Sequence, residues 1–483
     1  MSAMSTHTFL WHDYETFGAV PRRDRPAQFA AIRTDADLNE IGEPIMLYCQ
    51  PANDFLPDPQ SCLITGILPQ HCLEQGVPEH EFARQIEAAF SEPGTIGVGY
   101  NTIRFDDEVT RFLFWRNLID PYAREWQHNC GRWDLLDVVR MVYALRPEGI
   151  EWPTRDGKPS FKLELLTAAN GLTHEAAHDA LSDVRATIAL ARLIRSKQPR
   201  LFDFCLELRR KDRVASEIGL HLDPGQRQPF LHVSGMFPVE YGCLGLVYPL
   251  AQHPTNKNEI LVWDCRHDPS ELFALDADTI RTRMFSRAAD LPEGVTRLPI
   301  KSVHLNKSPM LVANLKTLRP ELATRWDIDL ERSRAHAALA AAGPDMKAVW
   351  AQVLNKPASG EPVDVDEDLY NGFVSREDRR QLESLRMQTP EALAKRISFE
   401  DERLNELLWR YRARNFPHTL SEEEHQAWEA HRAAKLYEGV HGARTVDQLF
   451  MEIDALQETA DERAQEILAA LYDYAEMIAP ELH

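Results

Sequence analysis

The stretch FLWHDYETFG, Phe9 to Gly18, places the tightest local constraint on this chain. Its apolar residues predict a short strand. Side chains two apart on a strand share a face, so Asp13 and Glu15 project to the same side. The two carboxylates can converge on one metal ion if further ligands arrive from elsewhere in the sequence. Without such partners, an acidic pair near a strand end is ordinary solvated surface.

The chain has 483 residues, enough for two to four domains with sizeable cores. No run of eighteen apolar residues occurs, and MSAMSTHT at the N-terminus has neither a basic region nor an apolar core. A spanning helix or secretory signal is therefore not expected. The seven cysteines are widely spaced with no CxxC pair, which argues for a reducing cytoplasm and against a zinc or disulfide framework. The net charge of −21 looks unfavourable for nucleic acid. Residues 356–483, however, hold 15 Lys and Arg against 28 Asp and Glu, so more than half of the excess lies in the last quarter. A basic groove elsewhere remains compatible with the total.

In chain order, FLWHDYE, AAIRTD and IMLYCQ predict three strands of a meander, and TIGVGYN a buried strand. Helices are expected around His80–Phe90, over Asp106–Asn117 and Arg132–Leu145, after Lys162 through Ala169, and over Asp179–Ser196. From Pro199 to about Asn355 the runs PFLHVSGMF, LGLVYPL, EILVWDC and LPIKSVHLN predict a β-rich domain with appended helices. PASGEP at 357–362 reads as a linker, and amphipathic helices with acidic outer faces follow it. The expected domains are 1–198, 199–355 and 356–483.

Three sites could complete the opening pair. Asp106, in YNTIRFDDEVT, follows a buried strand and begins a helix. His178 and Asp183, in HDALSDV, lie just before a helix and in its first turns. Four carboxylates from three regions form an all-oxygen set suited to Mg²⁺ or Mn²⁺ rather than zinc. Two such ions, about 3.5 to 4 Å apart, can clamp the attacking and leaving oxygens of a phosphodiester. A histidine beside them can take the proton of the attacking water. Taken singly, Asp106 and Asp179 fit helix caps, and His178 fits a structural or solvated histidine.

HDYETFG, YNTIRFDDE and HDALSDV resemble the three motifs of the DEDDh 3′-to-5′ exonucleases. DRPAQFAAIRTD, RWDLLDVVR, YALRPEGIEWP, HVSGMF, TLRP and YRARNFP extend the likeness over nearly the whole chain, to the bacterial exodeoxyribonuclease I family. The resemblance implies an α/β ribonuclease-H-like exonuclease domain, a β-rich SH3-like domain and an all-α C-terminal domain around a channel for single-stranded DNA. It implies Mg²⁺-dependent hydrolysis from the 3′ end to 5′-mononucleotides in DNA repair and recombination. Asp13, Glu15, Asp106 and Asp183 match the metal-binding carboxylates, with Asp13 expected to bridge two ions, and His178 matches the general base.

The same resemblance assigns Thr65, Gly66 and Ile67 to a turn at the terminal nucleotide. It assigns Arg111, Tyr122, Trp126 and Arg140 to the strand, as cations for phosphates and aromatic faces for bases. Lys162 stands where an arginine is expected, keeping the charge but losing the bidentate fork. Docking of the acidic tail of a single-stranded-DNA-binding protein is also implied, with Arg146 and Arg319 as its basic contacts. Two readings compete with this one: an RNA-trimming exonuclease using the same carboxylates, and a nonenzymatic recruitment protein. No coiled-coil signal occurs, so a cytoplasmic monomer is expected.

Overall fold

The computed structural model describes residues 7–173, 179–355, 363–395 and 398–481. These fall into two compact units, Met1–Gly131 with His174–Arg185 and Ser359–His483, and Arg132–Thr173 with Ala186–Ala358.

The first unit opens with β1 (Thr8–Thr16), β2 (Pro26–Thr34) and β3 (Ile45–Tyr48). Helices α1 (Pro59–Thr65), α2 (Pro69–Gln75) and α3 (Glu79–Ser91), strand β4 (Thr95–Gly99) and helix α4 (Asp106–Arg116) follow. Within this unit the strand order is β3-β2-β1-β4. β1 runs antiparallel to β2 over its whole length, with Asp13 opposite Ala30 and Glu15 opposite Gln28. Its parallel pairing with β4 stops at Trp11 opposite Val98. The acidic end of β1 therefore projects past its parallel neighbour, leaving that edge free for side chains.

Strand parity sorts the rest of β1. Leu10 and Tyr14 enter a core with Phe29, Phe82, Phe90 and Leu113, supplied by β2, α3 and α4. His12 shares that face, its ring edge-on to Phe90 at 4.9 Å between centroids. Each such fully buried aromatic or leucine contributes on the order of 2 kcal/mol. Asp13 and Glu15, at odd positions, are carried to the opposite face. His12 and Tyr14 thus turn away from the acidic face.

The C-terminal helices belong to this same unit. Leu436, Leu449, Ile453, Leu468 and Leu471 pack with Phe17, Cys62 and Cys72, while Leu369, Leu404 and Leu407 pack with Phe112 and Trp115. Buried ion pairs accompany the apolar contact. Arg414 binds Asp54 at 2.7 Å and Asp366 at 2.6 Å, and Arg25 binds Asp366 at 2.7 Å. Burial alone would push the Asp54 and Asp366 carboxyls up, but the Arg414 guanidinium and its cationic neighbours hold both well below the usual carboxylate range.

The chain continues through β5 (Gly131–Asp134), α5 (Leu135–Leu145), the two-residue strands β6 (Thr154–Arg155) and β7 (Lys158–Pro159), α6 (Leu163–Ala169) and α7 (Ala180–Lys197). The helix expected from Arg132 thus begins three residues later. Gly131–Asp134 is extended, and the Asp134 side chain caps the helix by accepting from the Leu136 amide at 3.0 Å. In the second unit, β8 (Phe230–Val233), β9 (Leu244–Gln252), β10 (Glu259–Asp264), β11 (Ile300–His304) and β12 (Met310–Val312) form an antiparallel sheet. Its order is β11-β10-β9-β8-β12. Four of its strands match the sequence expectation. The three-residue β12 offers too short a pattern to be read from sequence.

Candidate active site

β1 delivers Asp13 and Glu15 from the end that projects past β4, and the first turn of α7 delivers Asp183. One carboxylate oxygen from each of these three residues lies within 4.8 Å of the others. Asp106, the first residue of α4, is fixed differently. Its Oδ1 accepts the Tyr14 backbone amide at 3.0 Å, occupying the edge that β4 leaves open. Acidic residues are favourable at a helix start, and Asp106, Asp107 and Glu108 fill that first turn. Asp107 faces away, paired with buried Arg124 at 2.5 Å.

The four carboxylates crowd one another. Burial, then the charges of Asp106, Glu15 and Asp183, hold the Asp13 carboxyl well above the ordinary range. Burial, then Asp183, Asp106 and Asp179, push Glu15 up to about 8. Such carboxyls have too few cations around them, as expected where protein oxygens are arranged to receive a divalent ion. The donor set is oxygen only, matching hard cations. Asp179 caps α7, its Oδ1 accepting from the Leu181 amide at 3.0 Å and the Ser182 amide at 3.2 Å. His178 lies outside the described residues.

Thr65 ends α1 and Gly66 caps it in the left-handed region at φ 70°, donating to Cys62 O at 2.8 Å. Only glycine adopts that conformation without strain, and here it turns the chain so that the Ile67 amide meets Thr65 Oγ1 at 3.2 Å. Trp126 is 65% exposed, so its indole is available to a ligand rather than spent on the core. Tyr122 is partly buried, with the Arg111 guanidinium 5.2 Å from its ring centroid. Arg111 itself is buried and engaged, bound to Glu125 at 2.8 Å and Glu108 at 2.7 Å and donating to the Tyr370 hydroxyl at 3.0 Å.

In the second unit, Arg140 pairs with Asp137 at 2.6 Å, and Lys162 lies exposed with its ammonium 3.3 Å from Glu164. Arg146 donates to Thr317 O at 2.9 Å and lines a cavity of about 580 Å³ with Arg200, Arg213, Leu201, Phe204 and Val312. Arg319 does not line it. That guanidinium is taken by Glu148, and by Glu321 at 3.2 Å. Tyr370, which bridges Glu108 and Arg111, was not legible as part of this region. Its partners lie about 260 positions away in sequence, and an isolated tyrosine in a loop carries no pattern.

Four carboxylates converging beside a sheet edge, on an α/β domain, define an exonuclease of the kind that requires divalent metal ions. Residues 10–191 match the family described as Exonuclease, residues 209–356 the Exonuclease I SH3-like domain, and residues 363–478 the Exonuclease I C-terminal domain. The chain is 46% identical over 475 residues to Exodeoxyribonuclease I of Escherichia coli K12, covering 98% of each. A moderately thermophilic Exonuclease I from Methylocaldum szegediense has the same fold, with a TM-score of 0.92, 48% identity and coverage of 98% of this chain and 99% of that one. E. coli Exonuclease I in complex with a dA16 oligonucleotide superposes with a TM-score of 0.90 at 45% identity, covering 98% of this chain and 100% of that one. The chain belongs to the exodeoxyribonuclease I family and is a phosphodiester hydrolase acting on DNA. The same comparisons establish the order of an exonuclease domain, an SH3-like domain and a helical C-terminal domain.

Proposed function

We propose that this enzyme degrades single-stranded DNA from its 3′ end to 5′-mononucleotides, with Asp13, Glu15, Asp106 and Asp183 holding two Mg²⁺ ions. The observation that carries the reading is the convergence of Asp13, Glu15 and Asp183 oxygens within 4.8 Å, with Asp106 bonded to the same strand. A pair of Mg²⁺ ions, or Mn²⁺ in their place, supplies Lewis acidity and lowers the pKa of a bound water. Glu15, pushed up to about 8, keeps its proton at neutral pH until a cation compensates its charge, so near neutrality metal binding and proton release go together. His178, five positions before Asp183, accepts the proton of the attacking water. Thr65, Gly66 and Ile67 seat the terminal nucleotide, the glycine admitting close approach of the backbone.

Exposed Trp126 and half-buried Tyr122 present faces on which any base can stack, which gives binding without sequence preference. Arg111, engaged by Glu108 and Glu125, orients the Tyr122 ring, while Arg140 and Lys162 serve phosphates. Solved E. coli relatives include complexes with oligonucleotides and a zinc-bound ExoI-ssDNA complex, and these support both the substrate and the divalent site. The ExoI/SSB-Ct complex supports a second contact, with an acidic tail. Here the cavity of Arg146, Arg200 and Arg213, floored by Leu201, Phe204 and Val312, offers cations beside apolar surface for a carboxyl-terminal peptide. Arg319 acts there only if its pairing with Glu148 opens. We place the enzyme in the cytoplasm as a monomer, in repair and recombination. All seven cysteines are free thiols, which fits a reducing compartment, and no described helix is long and apolar enough to cross a membrane.

Digestion of 3′-labelled and 5′-labelled single strands with and without Mg²⁺ tests polarity, product and metal together. Early release of the 3′ label as a mononucleotide, only with metal, is expected. Early loss of the 5′ label, or faster loss of a matched RNA, overturns the reading.

A further inference from the structure

The turn assigned to the terminal nucleotide is covered by a side chain from the far end of the sequence. α1 is capped by Asp58, whose amide donates to Phe17 O at 2.7 Å, two residues beyond Glu15. Its seven residues rise about 10 Å to Gly66. The C-terminal helix Glu462–Ile478 packs on α1, with Leu468 and Leu471 sharing a core with Cys62 and Ile67. That packing sets the Arg463 guanidinium over Gly66. A Cβ built at Gly66 would lie 2.8 Å from Arg463 Nη2.

Arg463 is exposed, and among the described residues it has no ion pair or hydrogen bond. Of the acids near it in sequence, Asp461 is committed to capping its own helix, accepting from the Ala464 amide at 2.8 Å, and among the described residues neither Glu462 nor Glu466 pairs with Arg463. The carbonyls at the end of α1, the obvious structural partners for an arginine there, do not accept from it either. This contrasts with the buried arginines of the unit, which are paired: Arg25, Arg111, Arg410 and Arg414 each hold one or more carboxylates. A planar, always charged fork held beside a glycine turn, with its donors unspent, is suited to phosphate.

We propose that Arg463, delivered by the C-terminal helical region, binds a phosphodiester of the strand seated at the Thr65–Ile67 turn. This rests on the single-strand exonuclease reading above. It gives the acidic C-terminal region a direct part in substrate positioning.

The test is anisotropy of a labelled oligo-dT with the full-length protein in chelator, which stops cleavage, across a series of KCl concentrations. Wild type, Arg463→Gln and Arg463→Lys are compared, with steady-state cleavage in Mg²⁺ and a melting curve for each. For Arg463→Gln we expect about tenfold weaker binding and a salt slope shallower by about 0.7, the value for one lost single-strand phosphate contact. KM should rise while kcat changes little, and Arg463→Lys should restore the slope. An unchanged slope for Arg463→Gln overturns the proposal, whether the melting temperature is unchanged or falls; in the second case Arg463 is a packing residue. If wild type itself fails to bind or degrade the oligomer, the underlying reading fails instead.

Discussion

Crowding of carboxylates at the end of β1 gives a measurable pH dependence to the metal-free protein. Glu15 is pushed from 4.5 to about 8, by burial first and then by Asp183, Asp106 and Asp179. Between those two values the folded chain keeps a proton that the unfolded chain has released. The folded state therefore binds more protons, and stability falls as pH rises through this window. The contribution is intact below 4.5 and is lost by about 8 to 9. At about 1.4 kcal/mol per pH unit it reaches about 5 kcal/mol for Glu15 alone. His12 has the opposite sign. Burial, then Arg124, lowers it from 6.5 to about 4, so its contribution rises with pH across that lower range. Subtraction of a Glu15→Gln variant cancels His12, which Glu15 does not perturb, and leaves the Glu15 contribution together with its coupling to Asp13.

Melting of chelated wild type and Glu15→Gln is followed by calorimetry from pH 4.5 to 9. The two curves should coincide near pH 4.5 and diverge as pH rises, with the variant the more stable at pH 8.5. Saturating Mg²⁺, at a hundred times its Kd, should restore about 2.7 kcal/mol to wild type and much less to the variant. A wild-type-minus-variant difference that stays constant over the whole range, or equal stabilisation of both by Mg²⁺, would refute the crowding argument.

Three further outcomes follow from the same geometry. Asp183→Ala should abolish cleavage of a labelled single strand while binding in chelator survives; cleavage near the wild-type rate in Mg²⁺ would remove the two-metal arrangement. Asp366→Asn leaves Arg25 and Arg414 short of a buried carboxylate, so unfolding in urea should show a loss of about 3 to 5 kcal/mol, and a loss under 1 kcal/mol would mean that the network is not coupled to the fold. Lys162→Arg should lower KM for single-stranded DNA without changing kcat, because it regains the bidentate fork; an unchanged KM would show that the position makes no contact with the terminal nucleotide.

Much of the candidate site was legible along the chain because its parts are local patterns. The i, i+2 spacing of Asp13 and Glu15 on an apolar strand, an acid opening a helix at Asp106, and Asp183 in the first turn of α7 each follow from the periodicity of one element. The four longer strands of the second sheet follow in the same way. Where reading failed, the information was not local. β12 is three residues long, and the strand at Gly131–Asp134 precedes a helix with which its sequence blends. The partner of Arg319, Glu148, lies 171 positions away and carries no local signal. Arg111 is held by Glu108, Glu125 and Tyr370, and the last two of these partners come from other segments.

The sequence alone determined which residue types could do the chemistry, since strand and helix periods dictate the face on which each carboxylate emerges. Tertiary structure decided that these faces meet. Asp106 enters because β4 stops pairing at Trp11 and leaves the Tyr14 amide for its carboxylate. Arg463 enters because apolar helices almost 400 residues downstream bury themselves against α1. Burial of apolar area carries no directional code in a linear sequence, so a residue brought in by packing becomes visible only when the packing is formed.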